Sequence, residues 1–371
     1  MSGRAATNLA LSGVMLVTKK LQKYPSGGRE LLCKLNHEAL SEIFGERLVL
    51  FELPSVRKQG FSSIVGALRG DIDGLNDDVV AKAHQAIQAQ NVGRVFVDGS
   101  NLGKLVRVIT QTFPQIEVIT FFHNVEARFF LGAFRQTKTP RALAVLIVNY
   151  LAERKSVRFS NKIICLNERD SLLLNRIYGR VATHISPIAL RDNLTEDYMA
   201  SEDNQQEKFA LFVGGVFYAN LAGITWFVKN VVPRINVKTY IVGKGFEALR
   251  GELEVAGKVE VVGEVENLDV WYHKSFFVVA PIFDGSGMKT KVAEALMFGK
   301  KILGTPEAFS GYEAITNVAG RVCNSSDDFV AAIEAMDSIV SSPFDNELRA
   351  AYELTYSYEA ARTRLKAIMS E

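Results

Sequence analysis

Between Pro281 and Gly304 the chain reads PIFDGSGMKTKVAEALMFGKKILG, a glycine turn between an apolar run and a helix-forming segment. Phe276–Ala280, just ahead, reads as a buried strand, and Gly285-Ser286-Gly287 would feed directly into the helix. Strand, glycine turn and helix in that order build an anion site. The first amides of a helix have no internal partner, the macrodipole adds positive charge there, and glycines let a phosphate approach closely. Lys289 and Lys291 fall in the expected first turn, where cations are unfavourable unless an anion sits between them. Glu294, further along, is placed to accept hydrogen bonds from ribose hydroxyls. Gly299 is the expected C-cap, before a second buried strand over Lys301–Thr305. A plain tight turn with solvated lysines is the other reading of the same residues.

Such a turn needs strands whose ends line up. A chain of 371 residues, 48% hydrophobic and 23% charged, is too long for one compact core and suits two domains. Short apolar runs alternating with amphipathic stretches predict parallel sheets covered by helices. Strands are expected over Val14–Val17, Leu48–Leu53, Arg94–Asp98, Val118–Phe122 and Lys162–Leu166, with helices over Arg29–Phe44, Val79–Gln90 and Arg169–Tyr178. From Arg191 to Lys208 almost nothing is apolar, so a linker is expected, set at 196–208. The pattern then restarts with strand Phe209–Val213, helix Leu221–Val231, strands Thr239–Val242 and Glu260–Val262, and a short helix near Leu268–His273. Glu347–Met369 reads as a helical tail. The expected division is 1–195, a linker at 196–208, 209–345, and a tail from 346 to 371.

Cys33, Cys165 and Cys323 are far apart and odd in number, which fits a reducing compartment. No apolar run approaches the ~18 residues of a membrane span. Arg4 followed by Ala5–Val17 faintly imitates a leader, but Asn8, Ser12 and Gly13 break it, so a first strand is expected instead. The net charge of +2 hides an asymmetry: residues 1–195 carry +10 and the remainder −8. The first half is therefore expected to face something anionic, a membrane surface or a phosphorylated acceptor, unless the basic face is merely solvated. Residues 126–162 alone hold eight Lys or Arg against Glu126 and Glu153. Their basic clusters flank an apolar segment, Ala142–Leu151, that would rest at an interface or form a buried helix with a basic rim.

GSGMKTKVAEALMFGKKILGT resembles the donor-site signature of retaining glycosyltransferases of family 4, which have the α/β GT-B fold of two Rossmann-like domains facing each other across a cleft. Phe212-Val213-Gly214-Gly215, Asn220, Trp226-Phe227-Val228, Ile241-Val242-Gly243-Lys244-Gly245 and Gly263-Glu264-Val265 occur in the order that family shows. The resemblance covers most of the chain, more specifically its second half. It implies a metal-independent transfer of a sugar from a nucleotide-diphosphate-sugar to an acceptor hydroxyl, with no cofactor. Donor contacts would come from Gly27, Gly28, Gly214, Gly215, Gly243, Val265, Asp284, Gly285, Ser286, Gly287, Met288, Lys289, Lys291 and Glu294. His123, at a strand end, would face the transferred sugar or the acceptor, so His123, Lys289 and Glu294 are the implied catalytic set. The family's C-terminal tail crosses back to the first domain, and closure of the two domains would exclude water. Surface-polysaccharide or glycolipid synthesis is implied, with a saccharide or lipid-linked acceptor; the protein is expected in the cytoplasm, either free or, from its basic first half, peripheral on the inner face of the cytoplasmic membrane. No nucleic-acid partner is expected.

Two departures stand out. The family's first glutamate would fall on Ser286, with Asp284 the nearest carboxylate, and its Arg/Lys pair after the strand Phe209–Val213 is replaced by glycines. Lys289 or Lys291 would supply that charge. The same residues admit other readings. A sugar-nucleotide-binding protein without transfer activity fits the lost glutamate. An NAD-dependent oxidoreductase fits Gly243-Lys244-Gly245-Phe246-Glu247-Ala248, with Glu264 about 20 residues on. Asp71-Ile72-Asp73 is a DxD in a polar turn, read as structural, and His37, His84, His184 and His273 lack ligand spacing.

Overall fold

A computed structural model describes residues 12–25, 27–55, 66–195, 208–340, 342 and 344–371. Ser26 and residues 196–207 of the expected linker lie outside them. The chain forms two compact units, residues 1–187 with 361–371, and residues 188–360.

Unit 1 is built on a six-stranded parallel sheet, β1 (Gly13–Lys19), β2 (Leu48–Leu53), β3 (Val92–Asp98), β4 (Glu117–Phe122), β5 (Lys162–Cys165) and β6 (His184–Ile185), in spatial order β2-β1-β3-β4-β5-β6. Met15, Leu16, Val17, Val95, Phe96 and Val97 are fully buried, as expected of parallel strands covered on both faces. Parallel neighbours need crossovers, which here are helices α1 (Gly28–Phe44), α2 (Asp77–Ala89), α3 (Gly103–Thr112), α4 (Glu126–Thr137), α5 (Pro140–Phe159) and α6 (Glu168–Tyr178). Local chemistry sets their starts. Asn76 and Asn167 accept from Val79 N and Asp170 N, and Thr139 caps α5 with Pro140 at its first position.

Unit 2 repeats the plan with β7 (Phe209–Val213), β8 (Lys238–Val242), β9 (Val259–Gly263), β10 (Phe277–Ala280), β11 (Ile302–Gly304) and β12 (Gly320–Val322), in order β12-β11-β10-β7-β8-β9. Its helices include α7 (Tyr218–Asn230), α8 (Thr290–Met297) and α9 (Ser326–Glu334), the last opened by a Ser325/Asp328 capping box. In each sheet the chain lays two or three strands in one direction and then returns to the other side of the first. The reversal falls between β1 and β3 in unit 1 and between β7 and β10 in unit 2, and such switch points leave a crevice at the carboxyl ends of the strands.

Two sequence expectations need correction. The helix expected to begin straight after Gly287 begins at Thr290, because Gly285 (φ +142°) and Gly287 (φ +66°) hold non-helical backbone and Lys289 is an extended N-cap. Its end is as read, with Gly299 left-handed at φ +59°. The tail expected as one helix is interrupted. After α10 (Asn346–Ala351) comes a π-helical turn, Tyr352–Tyr356, and Ser357 is extended before α11 (Tyr358–Ser370). Leu190 takes up the backbone groups this break exposes: its N–H donates to Tyr356 O (2.9 Å), and its carbonyl accepts from Tyr358 N (2.8 Å) and the Tyr352 hydroxyl (3.0 Å). Beyond the break, Arg362 pairs with Glu42 (2.6 Å), Lys162 donates to Ile368 O (2.9 Å) and His184 meets Glu371 (2.7 Å), all within unit 1.

Candidate active site

In unit 2 the loops after β7, β8 and β10 meet at the switch point. Gly214 N donates to Val242 O (3.0 Å) and Gly243 N to Gly263 O (2.7 Å), so the carboxyl ends of β7, β8 and β9 interlock. A Cβ on Gly243 would lie 1.9 Å from the Gly214 carbonyl oxygen, and its φ of +147° is one that side chains rarely adopt. Gly215 is different: a Cβ there would meet only the Lys244 carbonyl at 3.9 Å, so the protein itself does not require this glycine.

Lys291, on the first turn of α8, points into these glycines. Its Nζ donates to Asn220 Oδ1 (2.9 Å), lies 4.4 Å from the Phe212 ring centroid, and would be 3.2 Å from a Cβ on Gly214. The residue is 6% exposed. Among the described residues no carboxylate forms an ion pair with it. Burial pushes its amine down to about 7, with the nearby Lys289 adding to the shift and Glu294 opposing it. Asn220 is itself fixed, its Nδ2 donating to the Gly215 carbonyl (2.8 Å).

Lys289 sits quite differently. Its Nζ pairs with Glu307 (2.9 Å) and donates to Gly287 O (3.0 Å), so its charge is already neutralised. Glu294 Oε2 accepts from the Tyr272 hydroxyl (2.6 Å); burial raises its carboxyl, opposed by that hydrogen bond and by Lys291. In the loop, Asp284 Oδ1 accepts from Gly285 N (2.8 Å), Met288 packs against Gly311, and the buried Ser286 Oγ has no hydrogen-bond partner. Val265 follows β9 and is half-buried. Asn220, Tyr272 and Glu307 are the partners that sequence reasoning left without a role. Their separations of 71, 22 and 18 residues from Lys291, Glu294 and Lys289 form no local pattern.

After β8 the Gly243-Lys244-Gly245 turn opens only a 3-10 turn, Phe246–Leu249, and one helical turn, Arg250–Leu253. Glu264, the acidic residue a dinucleotide fingerprint would need, pairs with Lys244 (3.2 Å). These residues do not build a Rossmann phosphate helix. A cavity of about 240 Å³ beside Phe276, Lys301 and Asp345 lies at the opposite, N-terminal edge of β10, and Lys301 there is paired with Asp345 (2.7 Å).

In unit 1, Gly27 caps α1 beside the β1–β3 switch point, and a Cβ on it would meet nothing within 4 Å. Gly28 opens the helix. His123, just past β4, is 7% exposed; its Nε2 lies 2.7 Å from Oδ1 of the fully buried Asp98 and 3.7 Å from Cys33 Sγ. Burial would raise the Asp98 carboxyl, but His123, Cys33 and Asn36 together hold it below its ordinary value. His123 Nδ1 is buried with no hydrogen-bond partner. Cys33, Asp98 and His123 bring three ligand-type atoms within 4.8 Å of one another. They suit a hydrogen-bonded network better than a metal, because a metal-bound imidazole ordinarily donates its other N–H to an acceptor and Nδ1 has none. Nor is Cys33 an activated nucleophile, since burial and Asp98 push its thiol well up.

The DxD carboxylates are both engaged by cations. Asp71 pairs with Lys104 (2.6 Å), and Asp73, at φ +52°, pairs with Lys19 (3.1 Å) and Arg29 (3.0 Å) and accepts from Asn101 (2.8 Å). A cavity of about 170 Å³ lined by Lys19, Lys20, Gln22, Glu30, Leu53, Pro54, Ser55 and Asp73 opens at the carboxyl ends of β1 and β2.

Residues 207–338 match the family model described as Glycosyl transferases group 1. Among solved structures the chain is similar to a sucrose-phosphate synthase from Thermosynechococcus elongatus (TM-score 0.72, 15% identity, covering 96% of this chain and 98% of that one). It is also similar to Anabaena HepE in complex with UDP-glucose (TM-score 0.67, 11% identity, 96% and 99% covered). A third likeness is to the lipopolysaccharide outer core galactosyltransferase WaaB (TM-score 0.64, 11% identity, 96% and 99% covered). No curated protein matches the sequence. The paired parallel sheets and these likenesses give the GT-B fold, and residues 207–338 make the chain a glycosyltransferase carrying a glycosyl transferases group 1 domain.

Proposed function

We propose that this glycosyltransferase moves a sugar from a nucleotide-diphosphate-sugar to an acceptor hydroxyl with retention at the anomeric carbon, in the manner of family 4 and without a metal or cofactor. The observation that carries the reading is Lys291, a buried amine with no ion-pair partner among the described residues, set beside Gly214 and linked through Asn220 to Gly215, whose missing side chain leaves open space. A diphosphate is the ligand that answers both features, because it supplies the missing negative charge and fits only where side chains are absent. HepE, whose structure is solved with UDP-glucose, supports a nucleotide-sugar as donor.

In this reading the α8 N-terminus and Lys291 stabilise the charge that develops on the leaving diphosphate. Lys289, tied to Glu307, shapes the loop. Glu294, held by Tyr272, takes the ribose, and Ser286 with Asp284 takes the sugar ring. The bond from the anomeric carbon to the diphosphate breaks while the acceptor oxygen attacks the same face, and the acceptor proton passes to the departing phosphate oxygen, so no protein base is required. In unit 1, Gly27 and Gly28 offer an open glycine turn, and His123 Nδ1 offers an acceptor for a sugar hydroxyl. The cavity lined by Lys19, Lys20 and Glu30 suits a polar saccharide acceptor. The product would enter a surface polysaccharide or glycolipid.

The test is NMR-monitored incubation of the full chain with a panel of nucleotide-sugars and saccharide acceptors, with EDTA present. Release of nucleoside diphosphate with a product of the donor's anomeric configuration is expected. An inverted product removes the retaining assignment, and donor binding without release in every combination leaves a sugar-nucleotide-binding protein.

A further inference from the structure

We propose that the α4–α5 hairpin of unit 1 is a docking surface for an anionic lipid bilayer. The inference does not depend on which donor unit 2 takes. α4 ends at Lys138, left-handed at φ +49°, and α5 starts two residues later, so the two helices form a hairpin packed along its length. A helix that only covers a sheet should bury its apolar stripe, and the C-terminal part of α5 does so with Val148, Ala152 and Val157. Its first turns do not: Leu143 is 41% exposed, Val145 36% and Ile147 44%.

Leu143, Ile147, Arg154 and Arg158 follow one another at helical spacings of four, seven and four residues, so one exposed face of α5 runs from apolar to cationic. Arg135, Lys138 and Arg141, also exposed, surround the tip. Among the described residues no carboxylate pairs with Arg135, Lys138, Arg141, Arg154 or Arg158. Elsewhere in unit 1, Glu117 serves both Arg94 and Lys162, and Lys104 holds Asp71 and Asp77. Exposed leucine and isoleucine inside an unanswered cationic field fit an interface of acyl chains beneath anionic headgroups. A second copy of the chain fits poorly, because it would bring the same positive charge to the contact.

The test is sedimentation of the full chain with phosphatidylcholine vesicles and with vesicles containing about one-third phosphatidylglycerol. Binding to the anionic vesicles only is expected, falling as salt rises because exposed charges are screened over ~10 Å at 0.1 M. Each neutralised charge in Arg135→Gln, Lys138→Gln or Arg141→Gln should lower partitioning about fivefold, since a basic residue near an anionic surface contributes ~1 kcal/mol. Leu143→Ser with Ile147→Ser should also lower it, whereas Lys82→Gln on α2 should not. Equal binding to both lipids, no binding at low salt, or loss in Lys82→Gln as great as in the hairpin variants would overturn the proposal. So would concentration-dependent self-association abolished by Leu143→Ser with Ile147→Ser, which would make the face a contact between copies.

Discussion

At the scale of single residues, Lys291 decides most. Its amine, held by burial at about 7 against an ordinary 10.5, is largely neutral in the free protein at pH 8. A diphosphate beside it restores the charge, so donor binding at pH 8 should take up a proton, and affinity should fall as pH rises above about 7. Calorimetry in two buffers of different ionisation enthalpy reads this directly; identical heats in both would contradict it. For stability the sign is opposite. The native pKa lies below the unfolded one, so between about pH 7 and 10.5 the unfolded chain keeps a proton the native state has released, and this group's contribution to stability rises with pH across that window. Glu294→Gln should weaken donor binding by about 1.5–3 kcal/mol through loss of charge-assisted hydrogen bonds, with little change in folding; unchanged calorimetric affinity would remove Glu294 from the ribose site. At this scale the sequence was half legible. It placed two lysines and a glutamate near one turn, but not that Glu307, 18 residues after Lys289, neutralises one lysine while the other has no ion-pair partner among the described residues. Such pairing depends on where β11 and its following loop land, which no local spacing encodes.

At the scale of elements, two devices hold the machinery. One is the interlocked glycine turns of unit 2. Gly243→Ala would drive a methyl group against the Gly214 carbonyl and strain a left-handed backbone, at a cost of about 1–3 kcal/mol, and should lower the unfolding temperature. The other is Glu153, fully buried on α5, which accepts from Glu126 N (2.9 Å), Ala127 N (3.2 Å), Ser100 Oγ (2.9 Å) and Tyr178 OH (2.8 Å). It thereby caps the first turn of α4 from the neighbouring helix. Glu153→Gln puts an amide donor against these donors and should lower stability by about 1–3 kcal/mol while donor affinity is unchanged; an unaltered denaturation midpoint would show the cap to be dispensable. Strands were the most legible elements, because parallel strands buried on both faces are continuous apolar runs. The α4–α5 hairpin was the least. Its amphipathic signal is blurred where apolar residues face outward, and Ala142–Leu151 could be read as a buried helix or an interfacial one until exposure separated its two halves. The broken tail was hidden for another reason, since the π turn at Tyr352–Tyr356 is stabilised by Leu190, more than 160 residues away.

At the scale of the molecule, the two-sheet plan follows from alternating apolar and amphipathic segments, and both switch points follow from strand order. The sites were legible to the extent that glycines and charges sit at strand ends. What anchors them was not. The DxD turn shows why motif and site differ: Asp71 and Asp73 are held by Lys104, Lys19 and Arg29, so in this account sugar transfer proceeds undiminished in EDTA, and a loss of turnover restored by magnesium or manganese would reject metal independence. Diphosphate binding at Lys291 is tested most directly by titration of the wild-type chain and Lys291→Met with a panel of nucleoside diphosphates, followed by thermal unfolding. At least one diphosphate is expected to stabilise the wild type, by roughly 2.7 kcal/mol at 100 times its dissociation constant. Lys291→Met should weaken that ligand at least tenfold, whereas Lys82→Gln should not. Failure of every diphosphate to bind, or equal binding to Lys291→Met, would contradict diphosphate binding at Lys291.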